Sequence, residues 1–144
     1  MSDGPGPPAR DEASPGSAAG PPDAGLLRAR TTLREHALPL LLDLQARLLD
    51  AGHGAATQDL IDLDPPRIRF LVWPRPALLR RHGPPKATLE LAWGTPDPWA
   101  YSASRWTGER EAERTHLAST PEERVDAGWF SRWSLEFLER VMGD

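Results

Sequence analysis

The sequence predicts an α+β fold: a three- to four-stranded, mainly antiparallel sheet flanked by an N-terminal and a C-terminal helix, after a disordered leader. Two stretches near the ends carry apolar residues at helical spacing, and stretches between them alternate apolar and polar with period two. The strands are joined by short connections, which favour antiparallel pairing, because a parallel crossover needs about a dozen residues or more.

The leader covers residues 1–25. It holds six prolines and five glycines but no Leu, Ile, Val, Phe, Tyr or Trp. Such a segment buries too little apolar surface to offset the entropy of ordering it. Residues 26–144 then form one domain. Residues 26–51 read as the first helix: Leu33, Ala37, Leu41, Leu44 and Leu48 follow helical spacing. Thr32 and Glu35 have capping-box spacing, Asp43 and Arg47 form an i,i+4 pair, and Gly52 is placed to stop the helix. Pro39 lacks the N–H that would bond the Glu35 carbonyl, so a kink is expected there.

Residues 57–64 are weakly patterned. In Arg67–Trp73, by contrast, Ile68, Phe70 and Val72 point one way and Arg67, Arg69 and Leu71 the other. A helical turn over 77–82 is expected next. Ala87–Trp93 is a second strand, with Leu89, Leu91 and Trp93 on one face and Thr88, Glu90 and Ala92 on the other. Trp99–Trp106 is a third, after a loop stiffened by Pro96 and Pro98, and a charged fourth strand is expected near Glu111–Leu117. Thr120-Pro-Glu-Glu123 supplies an N-cap, an N1 proline and an N3 glutamate for the last helix. Its apolar stripe is Val125, Trp129, Phe130, Trp133, Phe137 and Val141.

Composition excludes several functions. The chain has no cysteine, so thiolate nucleophiles and cysteine-ligated metals are ruled out. Sixteen arginines against one lysine, with no asparagine, read as GC-rich bacterial codon usage, which weakens any reading of arginine as selected over lysine. The leader holds −3 of the net −4, leaving the domain near neutral, with no global pull on nucleic acid or anionic membrane. With no signal peptide or apolar span, the expected compartment is the cytoplasm.

All six tryptophans fall between Trp73 and Trp133. Trp129 and Trp133 are expected in the core of the last helix. Trp93, Pro96, Pro98, Trp99 and Trp106, at strand ends and in the rigid loop before Trp99, are the candidate partner-binding residues. A second candidate is the segment 67–86, where Arg67, Arg69, Arg75, Arg80, Arg81 and Lys86 occur without an acid. Of these, Arg75, Arg80, Arg81 and Lys86 are the candidate anion-binding residues.

Asp59, Asp62 and Asp64 match no calcium loop and read as a solvated connector. Glu113 and His116 have i,i+3 spacing, but on a strand they would face apart. No nucleophile–base set is evident, and an enzyme would need His82, Asp97 and His116 to converge. No cofactor or metal is expected.

The helix–sheet–helix outline is similar in shape to small bacterial secretion chaperones, immunity proteins and adaptors, a likeness that carries no functional residues. The function expected is a non-enzymatic protein-interaction module whose partner is another protein or a second copy, as a homodimer. The alternative is binding of an anionic ligand or, less favoured, a nucleic acid through 67–86.

Overall fold

The computed structural model describes residues 22–74, 86–95, 97–107 and 113–143. Helix α1 (Pro22–Thr32), a π turn (Leu33–Ala37) and helix α2 (Leu38–Asp50) form one continuous rod. It starts at Pro22, four residues before the expected boundary, since a proline in the first turn lacks only an N–H that would have no partner there. Thr32 makes no capping bond, because it lies inside the rod. The strain of Pro39 is taken up just upstream: the Leu38 N–H bonds the Leu33 carbonyl, five residues back, in the wider turn that precedes the proline. The rod ends as expected. Gly52 has φ +90°, its N–H bonds the Leu49 carbonyl (3.0 Å), and the His53 N–H bonds the Leu48 carbonyl (2.9 Å).

Five strands follow, not three or four: β1 (Gly54–Leu60), β2 (Arg67–Trp73), β3 (Ala87–Trp93), β4 (Ala100–Thr107) and β5 (Thr115–Pro121). They lie in sequence order, each antiparallel to the next. The additional strand is β1, whose small and polar residues give little alternation of their own. It forms because β2 pairs along its full length and α2 packs over it.

The last strand is also displaced. β5 starts at Thr115 and runs to Pro121, through residues expected to cap the last helix. Pro121 has φ −54° and ψ 143°, so its fixed φ serves an extended strand end rather than a helix start. One 3₁₀ turn, Glu122–Arg124, separates it from helix α3 (Ala127–Gly143). The working cap is Asp126, whose carboxylate accepts from the Trp129 N–H at 3.0 Å.

Both helical pieces cover one face of the sheet. The rod contributes Ala29, Leu33, Ala37, Leu41 and Leu44, and α3 contributes Phe130, Phe137 and Val141. Beneath them lie Ile68, Phe70 and Val72 of β2, Leu89 and Leu91 of β3, and Tyr101 and Ala103 of β4. Phe70 meets Phe137 edge to face at 6.5 Å, and Tyr101 meets Phe130 at 5.6 Å. Trp129 and Trp133 pack against this core but are only partly buried, so the fully buried stripe of α3 is narrower than its apolar residues suggest. No helix among the described residues is long and apolar enough to cross a membrane.

Candidate functional site

The other sheet face is polar, and its residues fall into rows set by the strand register. One row crosses all five strands: Gln58, Arg69, Glu90, Ser104 and His116. The next row is Leu60, Arg67, Ala92, Ser102 and Ser119. His116 belongs to this face because of a bulge. Ala103 pairs Ala118 while Ser104 pairs His116, so Leu117 is the extra residue and His116 is re-aimed beside Ser104.

Glu90 sits at the centre, its side chain only 8% exposed. Arg69 Nε donates to its Oε2 at 2.9 Å, Arg114 Nη2 donates to its Oε1, and Arg67 Nε stands 3.8 Å from Oε2. Arg67 also donates from Nη1 to the Pro65 carbonyl at 2.8 Å. Three guanidiniums therefore converge on one carboxylate. Each has five N–H donors, and three such groups far outnumber the roughly four lone-pair sites of one carboxylate. The Arg69 and Arg114 guanidiniums each lie over the Trp106 ring, 5.2 Å from its centroid.

Beside this cluster is a concavity of about 270 Å³, lined by Pro65, Arg67, Glu90, Ala92, Thr95, Ser102, Ser104, Arg114 and His116. Glu90 is its only acidic residue among the described residues. Ser102 Oγ donates to the Thr95 carbonyl at 2.7 Å, so the strong donors facing the space are the guanidiniums. Guanidinium N–H groups of this kind are donors suited to anionic oxygens.

The aromatic candidates do not form one surface. Trp93 faces the helices, 9% exposed, and its Nε1 donates to Glu122 Oε2 at 3.0 Å. Trp99 meets it edge to face at 5.6 Å and covers Gly25 of α1, while the Arg28 guanidinium lies 5.9 Å from its ring centre. Arg28 also pairs with Glu122 Oε1 at 2.7 Å. These residues form a clasp that ties α1 to the β3–β4 loop. A second concavity of about 220 Å³ lies against it, between Arg28, Thr32, Tyr101 and Glu122. Burial of Tyr101 raises its pKa; a hydrogen bond with the Thr32 side chain acts the other way, Glu122 raises it further and Arg28 lowers it.

Trp106 lies on the opposite sheet face, beside Thr88 and 5% exposed. Pro98 is exposed in the turn before β4, and Pro96 lies outside the described residues.

Of the basic candidates, Arg75, Arg80 and Arg81 lie outside the described residues, as do His82 and the expected helical turn over 77–82. Lys86 Nζ donates to the Val141 carbonyl at 3.0 Å, a favourable place for a cation at the end of α3. The three aspartates do not converge. Asp59 accepts from the Ile61 N–H at 3.1 Å, and Asp62 pairs with Arg34 at 3.0 Å. Asp97 accepts from Ser119 Oγ at 2.8 Å. Glu113 precedes β5, so it does not share a strand with His116. No group of three potential metal-ligating residues converges among the described residues.

Glu90, Arg114 and Ser104 are the site residues that sequence reasoning missed, and it joined His116 only to Glu113 or to His82 and Asp97. One signal was present: Glu90 is the lone acid in an otherwise uncharged strand, on the face expected to oppose Ile68-type core residues. Its partnership with Arg67 and Arg69 followed only once the register was fixed. No protein-family model matches the chain, and no curated protein or solved structure matches it.

Proposed function

We propose that this chain is a binding module of the protein-interaction kind and that its recognition surface is the open sheet face, which receives an anionic group. The observation that carries this reading is the placement of Arg67 and Arg114, both held at Glu90, in the lining of a concavity with no other acid among the described residues. Partly buried cations draw a counter-charge, and a preorganised guanidinium loses less entropy per bond than a flexible ammonium. The compact grouping suits one carboxylate or phosphate better than a nucleic-acid backbone, which is held by phosphate contacts repeated along a groove.

The test is titration of the full chain with glutarate and with inorganic phosphate, followed by calorimetry and tryptophan emission. Trp106 is the built-in reporter because Arg69 and Arg114 lie against its ring. Binding should weaken at least tenfold, about 1.4 kcal/mol, in Arg67→Ala combined with Arg114→Ala. Arg47→Ala, on the outer face of α2, should leave it unchanged. If neither anion binds more tightly than about 1 mM, or if the double variant binds as the parent does, the reading is wrong.

A further inference from the structure

Four buried side-chain polar atoms among the described residues lack a hydrogen-bond partner: Thr57 Oγ1, Arg105 Nε, Trp133 Nε1 and Ser134 Oγ. Only Arg105 Nε belongs to a charged group, for which uncompensated desolvation is most costly. The register places Arg105 on the helix-covered face, since it pairs Leu89, which in turn pairs Phe70. Both of those are fully buried, so a cation continues an apolar row. The Glu90 cluster lies on the opposite face and does not serve it.

Arg105 borders a notch of about 30 Å³ at the end of α3, lined also by Lys86, Ala87, Thr107, Arg140 and Val141. The described lining holds three basic residues and no acidic one. Lys86 is already engaged: its Nζ donates to the Val141 carbonyl, which offsets the negative end of the helix dipole. Arg105 and Arg140 form no ion pair among the described residues, not even Arg140 with Glu136, one turn earlier on α3.

Size limits what enters. The notch matches the share of one water molecule in the liquid, so it seats the terminal oxygens of a ligand and not a ring. Planar guanidinium forks suit phosphoryl oxygens, and a phosphomonoester carries close to two negative charges at neutral pH, one for each guanidinium.

We propose that the notch at Lys86, Arg105 and Arg140 is a second anion site, which takes the end of a phosphoryl group, either inorganic phosphate or a phosphomonoester. Arg105 supplies the inner donor, and Arg140, exposed on α3, the outer one. The site stands apart from the sheet-face concavity and does not depend on the reading given to it above.

The experiment follows the arginine Nε–Hε magnetic-resonance signals of the nitrogen-15-labelled full chain. The probes are inorganic phosphate, methyl phosphate and acetate, with chloride lowered to hold ionic strength constant. Arg105→Lys assigns the Arg105 signal. That signal should shift along a saturating curve with phosphate and stay in place with acetate. Saturation by methyl phosphate as well would extend the site to esters, and its absence would confine it to the free ion; either supports the proposal. Arg140→Ala removes an exposed side chain, leaves the core intact, and should weaken binding about threefold or more.

The shift should persist in Arg67→Ala combined with Arg114→Ala, so the two anion sites fail or survive separately. An Arg105 signal that phosphate does not move, or that acetate moves equally, would overturn the proposal. A shift lost in that double variant would trace the effect to the sheet face and overturn it as well. A response that requires Glu109→Gln with Glu111→Gln would assign the notch to the chain's own acids, and the proposal would fall.

Discussion

Replacing Glu90 by glutamine removes one charge without changing shape, and it tests whether the guanidinium cluster depends on that charge. The carboxylate makes two direct charge-assisted hydrogen bonds, with Arg69 and Arg114, and a longer contact with Arg67 at 3.8 Å. Each direct bond contributes about 1.5–3 kcal/mol. Two effects reduce the loss. The arginine side chains are 22–33% exposed, so water recovers part of their solvation, and the glutamine oxygen still accepts one bond. The variant also avoids the desolvation penalty of the buried carboxylate. The expected net loss is about 2 kcal/mol, which for a domain of this size lowers Tm by roughly 6–10 °C.

The assay is thermal unfolding, followed by circular dichroism, in chloride and in phosphate at equal ionic strength. Glu90→Gln leaves three guanidiniums without their carboxylate, so phosphate should bind the variant more tightly and restore more of its stability than it adds to the parent. A variant that melts within about 2 °C of the parent, with no greater response to phosphate, would refute the reasoning.

At Gly25 the usual rule should invert. Alanine in a helix interior normally stabilises by about 1 kcal/mol over glycine. Here the methyl would overlap the Trp99 ring, so Gly25→Ala should destabilise by about 1–3 kcal/mol in denaturant unfolding, and should become stabilising in a Trp99→Ala background. Tyr101, the only tyrosine, should ionise above its ordinary value of 10.0 because it is buried, as read by phenolate absorbance in the folded protein. Its pKa is raised on folding, so the unfolded chain releases the proton first. The contribution to stability is full below the ordinary value and is lost as pH rises through the raised one. Tyr101→Phe should flatten that alkaline decline. Asp126→Ala should cost about 1 kcal/mol in chemical unfolding if this residue caps α3, and no change would return the cap to another residue.

Much of the fold was legible where burial imposes a period. The faces of β2 and β3 follow from Ile68, Phe70 and Val72 against Arg67 and Arg69, and from Leu89 and Leu91 against Glu90. The Gly52 stop was legible because a positive φ selects its residue type. β1 was not, because Gly54–Leu60 becomes a strand through its partner rather than its own pattern. The start of α3 was misread for a physical reason. Proline's fixed φ is compatible with both a helix start and an extended strand end, and only the pairing of Ala100 with Pro121 distinguishes them. For the site, the arginines of β2 were visible as a basic run. Arg114 and His116 could not be joined to them, because their placement depends on a bulge and on the register of three strand pairs.

That register connects the site to the fold. A one-residue slip of β3 would turn Glu90 toward Phe70 and Phe137 and bring Leu89 or Leu91 out among the arginines. Burying an unpaired carboxylate in that layer costs several kcal/mol, so the Glu90–arginine cluster selects one alignment of the central strands. The proposed roles divide accordingly: Glu90, 8% exposed, specifies the sheet, while Arg67 and Arg114, 22% and 33% exposed, line the concavity. Substitutions at Glu90 should therefore act first on stability, and substitutions at Arg67 and Arg114 first on binding. The same carboxylate that fixes the alignment of the strands also holds Arg67 and Arg114 at the concavity, so the proposed binding surface depends on the register that Glu90 selects.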